Sequence, residues 1–93
     1  MGIIRPMPAQ PLTNWDRAAS EYVQDVAKRK GVNQGELADL AGISRNSIGA
    51  YWRGQVPMTV GTVIKLLVAL KSPLDKAMDE ITRRGSDLDD AEK

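Results

Sequence analysis

Cysteine and histidine are absent from the chain, which excludes disulfides and thiolate metal sites and removes the commonest general base and metal ligand. Asp25, Glu36 and Asp39 form no clustered acid pattern that would replace them, so we expect no catalytic residue, no metal site and no cofactor. No apolar run approaches the roughly 18 residues that a membrane span needs. The opening MGIIRPMPAQP is broken by Pro6, Pro8 and Pro11 before a signal-peptide core can form. The expectation is a cytoplasmic protein that takes neither a membrane nor a small-molecule substrate as its partner. A large net charge is missing too, at +1 overall, but the charge is unevenly spread. In the last nine residues, GSDLDDAEK, four acids oppose only Lys93, a local charge of −3, which leaves +4 on residues 1–84. A mildly basic body suits a polyanionic partner, and an ordinary solvated surface accounts for it equally well.

The 93 residues are enough for one compact domain with a single modest core, and we expect no separate effector domain. Residues 1–12 are Pro-rich and aperiodic, which reads as a flexible arm. Thr13 with Asp16 three positions later marks a helix start. Trp15, Ala18, Ala19, Tyr22, Val23 and Val26 then recur at the spacing of one buried face, up to the basic Lys28, Arg29, Lys30 and the terminator Gly31. Asn33 and Glu36 open a two-turn helix that Gly42 closes. Ser44 or a neighbour caps a third helix, which runs to about Arg53 before Gly54 and Pro57. Thr59 caps a fourth with the apolar stripe Val60, Val63, Ile64, Leu67 and Val68, and a fifth follows with Pro73 at its first position and Leu74, Ala77, Met78 and Ile81 on one face. Nothing alternates with the period of a strand for long enough to argue a sheet. The fold class is therefore all-α, five short helices over residues 13–84, followed by an acidic disordered tail at 85–93.

The segment NQGELADLAGISRNSIGAYWRG, residues 33–54, carries the sharpest signal. Its apolar residues Leu37, Ala38, Leu40, Ala41, Ile43, Ile48 and Tyr51 look like one core stripe, yet Gly42 divides them. Two helices joined by a three- or four-residue turn cross at roughly 90–120°, so the first braces the second and makes it project. Ala38 allows close approach and Gly42 the tight turn. With Gln34 at its start and Ile48 and Tyr51 at its later core positions, the segment resembles the helix-turn-helix of the phage Cro and repressor family, also called Xre. The resemblance extends over roughly residues 14–81, with VGTVIKLLVAL as the fourth helix. It implies a compact lambda-repressor-like DNA-binding domain whose partner is an operator in double-stranded DNA.

The third helix presents Asn46, Gly49, Ala50 and Arg53 at i, i+3, i+4, i+7, flanked by Ser44 and Arg45, with no acid to repel phosphates. Arg45 suits guanine O6 and N7, Asn46 suits adenine N6 and N7, and Ala50 suits a thymine methyl, with Ser44 beside them at a base edge. The resemblance places Gln34 on a phosphate, with Asn33 and Arg53 in similar positions and Ser47 alongside. Asn33 is equally explained as a cap, and Gln34 as a solvated first-turn residue. Gly49 fits either clearance for a groove floor or neutral drift. Two departures from the family stand out. Trp52 occupies a position where many members have Glu, and we expect it to pack near Ala27; a partner surface is the alternative. The loop QVPMT lacks the basic cluster that many relatives aim at the DNA backbone. The resemblance further implies a homodimer, with the fifth helix as candidate interface, unless Leu74, Met78 and Ile81 complete the monomer core. The functional expectation is a Cro-like or small phage-type repressor. The alternative is an antitoxin-type interaction protein of the same fold.

Overall fold

The computed structural model describes residues 13–91 and contains five helices in the order α1 (Asn14–Arg29), α2 (Gln34–Ala41), α3 (Arg45–Trp52), α4 (Val60–Ala69) and α5 (Leu74–Ala91). Among the described residues there is no strand. No helix there is long and apolar enough to cross a membrane. The expected arm at residues 1–12 lies outside the described residues.

Each of the first four helices starts where a side-chain oxygen meets an orphaned backbone N–H. Thr13 and Asp16 form a reciprocal capping box, as do Asn33 and Glu36, while Ser44 accepts from the Ser47 N–H and Thr59 from the Thr62 N–H. The same four helices end alike, with crossed hydrogen bonds that use up their last carbonyls. In α1, the Val32 N–H donates to Ala27 O at 2.9 Å and the Gly31 N–H to Lys28 O at 3.1 Å. The closing residue must be left-handed: Gly31, Gly42 and Gly54 sit at φ 69–70°, and Lys71 does the same work at φ 55°. α5 starts one residue later than its proline suggested, because the Pro73 carbonyl accepts from the Ala77 N–H at 3.1 Å and Pro73 is therefore the cap.

The core forms where these helices meet. Ala18, Ala19 and Val23 of α1, Leu37 and Ala38 of α2, Ile48 of α3, Val63, Leu66 and Leu67 of α4, and Ala77 and Ile81 of α5 are fully buried. Each buried aliphatic side chain contributes about 1.5–3 kcal/mol of transfer free energy, and α1 and α5 make the most extensive contact.

Two expectations need correction. Residues 85–91 are helical and continue α5 rather than forming a disordered tail; residues 92–93 lie outside the described residues. Gly85, the first residue of that segment, is a point of close approach: a Cβ there would lie 3.4 Å from the Trp15 Cα. Beyond it the Asn14 side-chain amide donates to Asp89 at 2.6 Å, so the acidic turns are tied to α1. The second correction concerns the apolar stripes. Leu40 is exposed, and the α4 stripe splits in two, with Val63 and Leu67 buried beside Leu66 while Val60, Ile64 and Val68 are 54%, 37% and 58% exposed. On α5, where a dimer surface and completion of the monomer core were both open, Ile81 is buried and Leu74 and Met78 pack against the core, in line with the second.

Candidate nucleic-acid interface

The turn between α2 and α3 is only three residues long, Gly42, Ile43 and Ser44. Gly42 takes φ 69° and ψ 34°, a left-handed conformation that costs any residue with a Cβ about 1 kcal/mol or more. This reversal lets the Ile43 N–H reach back to Ala38 O at 2.9 Å. Leu37 and Ala38 on one helix and Ile48 on the other then close a dry contact. Ala41, Ile43 and Tyr51 cover its edge. α3 is also tethered at its far end, where the Ser20 hydroxyl of α1 donates to Tyr51 O at 3.1 Å and is itself held by the Gln24 amide at 3.0 Å. Sequence reasoning missed Ser20 and Gln24. Their only signal was a pair of polar residues at i, i+4 along the margin of an otherwise apolar face.

With its inner side fixed, α3 presents Arg45, Asn46 and Arg53 to solvent, with Ser44 exposed just before it and Ala50 and Ser47 half-buried between them. The helix carries no acid. Asn33 and Gln34 are exposed at the start of α2. Asn33 Oδ1 accepts from the Glu36 N–H at 2.8 Å, so the cap occupies its oxygen while its NH₂ stays available as a donor. Gln34 and Asn33 line a cleft of about 400 Å³ with Ala27, Lys28 and Trp52. Trp52 is thus half-buried in the same cleft as Ala27, whose lining also holds one cation, Lys28, and one acid, Asp25.

Two features were not legible from α3 alone. Arg45 does not stand free: its guanidinium folds back across α2, where Nη2 meets the Asp39 carboxylate at 3.3 Å. There it also covers Gly35, whose Cβ would come within 3.3 Å of the Arg45 Cζ. An acid therefore borders the ridge that α3 itself keeps acid-free. Both partners of this pair are strongly exposed, at 73% and 70%. Such a pair is worth only about 0–1 kcal/mol, whereas a bidentate contact to guanine is worth about 1–3 kcal/mol. The exposed pair is the weaker of the two, so Asp39 does not sequester Arg45 from a stronger partner.

Gly49 is likewise not an open notch. It is buried, because the Arg53 guanidinium lies across it, with Nη1 2.9 Å from where a Cβ would be and Nη2 donating to Gln55 Oε1 at 3.2 Å. The glycine gives room to an arginine side chain rather than to a groove floor.

The whole arrangement is two short helices at a glycine turn, the second braced from α1 and faced with cations, amides and hydroxyls. A family model described as helix-turn-helix matches residues 23–76, more than half of the chain. The chain belongs to that family. Within it, this helix-turn-helix protein is of the Cro and Xre type, and DNA-binding regulation of transcription is the function that membership carries. A search of curated proteins finds no match to the chain.

Proposed function

We propose that the protein is a sequence-specific regulator of the Cro-like or small phage-repressor type, cytoplasmic and non-enzymatic, which occupies an operator through the major groove and so excludes polymerase. The observation that carries this reading is the exposed face of α3, where Arg45 and Asn46 share a ridge with Ala50 and no acid. Arg45, Asn46, Ala50 and Ser44 read base edges; Asn33, Gln34, Ser47 and Arg53 set the register on phosphates.

One such helix covers half a site, and a homodimer with its recognition helices one DNA turn apart, about 34 Å, covers a whole one. The exposed Val60, Ile64 and Val68 support that assembly. They repeat at i, i+4, i+8 along α4 and form a continuous apolar line of the sort that a self-complementary interface buries.

Selection of bound duplexes from a random pool at defined salt tests the reading, with stoichiometry measured on the winning sequence. The expected result is a two-fold repeated half-site bound by two chains. Enrichment of no sequence, together with tight capture of a protein encoded beside the gene, would favour the antitoxin-type alternative.

A further inference from the structure

The geometry points to Val56, in the loop after α3, as a further specificity-determining residue that reads the 5-methyl group of a thymine. This rests on the DNA-reading role proposed for α3 and names one base that it recognises. Val56 is a large apolar residue that is 46% exposed. It lines a shallow concavity of about 220 Å³ with Asn46, Ser47, Ala50 and Tyr51. The Ala50 methyl, the Tyr51 ring and the Val56 isopropyl group give this hollow an apolar lining, and the Asn46 amide and Ser47 hydroxyl supply polar edges.

The composition of the lining selects its occupant. It contains no cation, and the Ser47 hydroxyl assigned to a phosphate stands at its edge, so the floor between Ala50, Tyr51 and Val56 is left for an apolar group. Among the groups that unmodified DNA displays in the major groove, the thymine C5-methyl is the apolar one. The neighbouring Asn46 amide matches adenine N6 and N7, so the methyl belongs to the thymine paired with that adenine or to one on the adjoining pair. Sequence reasoning placed an apolar contact on Ala50 alone, because Val56 lies outside α3 and only the fold of the loop brings it to this face.

Burial of one methyl group is worth about 0.8 kcal/mol, which is about fourfold in Kd. The test uses the full chain and the duplex selected above, with each thymine of a half-site replaced singly by deoxyuridine, and reads Kd by fluorescence anisotropy at fixed salt. One replacement should weaken binding about fourfold while the others change it less than twofold. With Val56→Ala the unmodified duplex should bind more weakly, and the difference between thymine and uridine at that position should shrink below twofold. Because deoxyuridine leaves the protein untouched, its effect is independent of any effect of Val56→Ala on folding. A selected duplex that binds equally well with uridine at every position overturns the assignment of Val56 and leaves the DNA-reading role intact. Unchanged discrimination in Val56→Ala overturns it too. A chain that selects no duplex at all brings down both.

Discussion

Two arginines in this protein are treated in opposite ways. Arg84 of α5 reaches across to α1, where Nη1 meets Glu21 at 3.1 Å and Asp25 at 3.0 Å, while Nε meets Glu80 at 2.9 Å and the guanidinium lies 5.3 Å above the Tyr22 ring. Arg45 of α3 has one carboxylate, Asp39, at 3.3 Å and in full contact with water. The first guanidinium has its donors committed to three acids and its face to an aromatic ring, so it serves the join between the two longest helices. The second is held loosely enough to be passed to a ligand. Their side-chain chemistry is identical; the number of partners and the exposure separate the structural charge from the one proposed to read DNA.

The largest expected effect removes the support that both regions share. Leu37→Ala empties a fully buried site between α2 and its neighbours, and urea denaturation should show a loss of about 2–5 kcal/mol. An operator-binding defect should follow only in proportion to the unfolded fraction.

Arg84→Ala and Arg45→Ala separate the two roles. Without Arg84, the carboxylates of Glu21, Asp25 and Glu80 are left without their shared cation. Denaturation should report about 1–3 kcal/mol of lost stability, with the base preference of the folded protein unchanged. Arg45→Ala should do the reverse, leaving stability within about 0.5 kcal/mol and weakening operator binding by about 1–3 kcal/mol with relaxed preference at one base pair. An equal loss on random DNA would make Arg45 a phosphate contact.

Acid titration sharpens the contrast. Hydrogen bonds from Arg84 and then Arg83 hold the Glu80 carboxyl below its ordinary value of 4.5. A depressed carboxylate stabilises the fold above that ordinary value, and the contribution is lost as pH falls through the folded-state value. The stability gap between the native chain and Arg84→Ala should therefore be full at pH 7 and narrow steadily below about pH 4.5, as followed by thermal melts. The hydrogen bond that Arg84 donates to Glu80 also holds the guanidinium's own proton more tightly, which matters only in strong alkali, outside any working range.

The smallest effect concerns a helix end. Lys71 occupies the left-handed position that glycine fills at the ends of α1, α2 and α3, so Lys71→Gly should raise stability by up to about 1 kcal/mol. Gly54→Ala at the equivalent end of α3 should lower it by a similar amount. Calorimetric melting of the two variants checks the opposite signs.

Much of this fold was legible because it is written in local chemistry. Thr13, Asn33, Ser44 and Thr59 mark helix starts by side-chain capping, and Gly31, Gly42 and Gly54 mark helix ends by permitting positive φ. The candidate site was legible as far as it lies on α3 itself. What escaped depends on residues brought together across elements: Asp39 beside Arg45, Ser20 beneath Tyr51 and Val56 against Ala50. The tail at 85–93 was misread for the same reason, since its acidic composition does not show that Gly85 lets α5 touch α1 and carry on to Ala91. On α4 both faces are apolar, and periodicity alone does not say which one the core takes.

Titration of the isotope-labelled chain with the selected duplex at low salt, followed by amide chemical shifts, tests the central claim most directly. The account predicts progressive shifts at residues 33–35, 44–47, 50, 53 and 56, with Glu21, Asp25 and Arg84 unmoved. Shifts gathered instead around the Arg84 clasp, or none anywhere between residues 33 and 56, would contradict it.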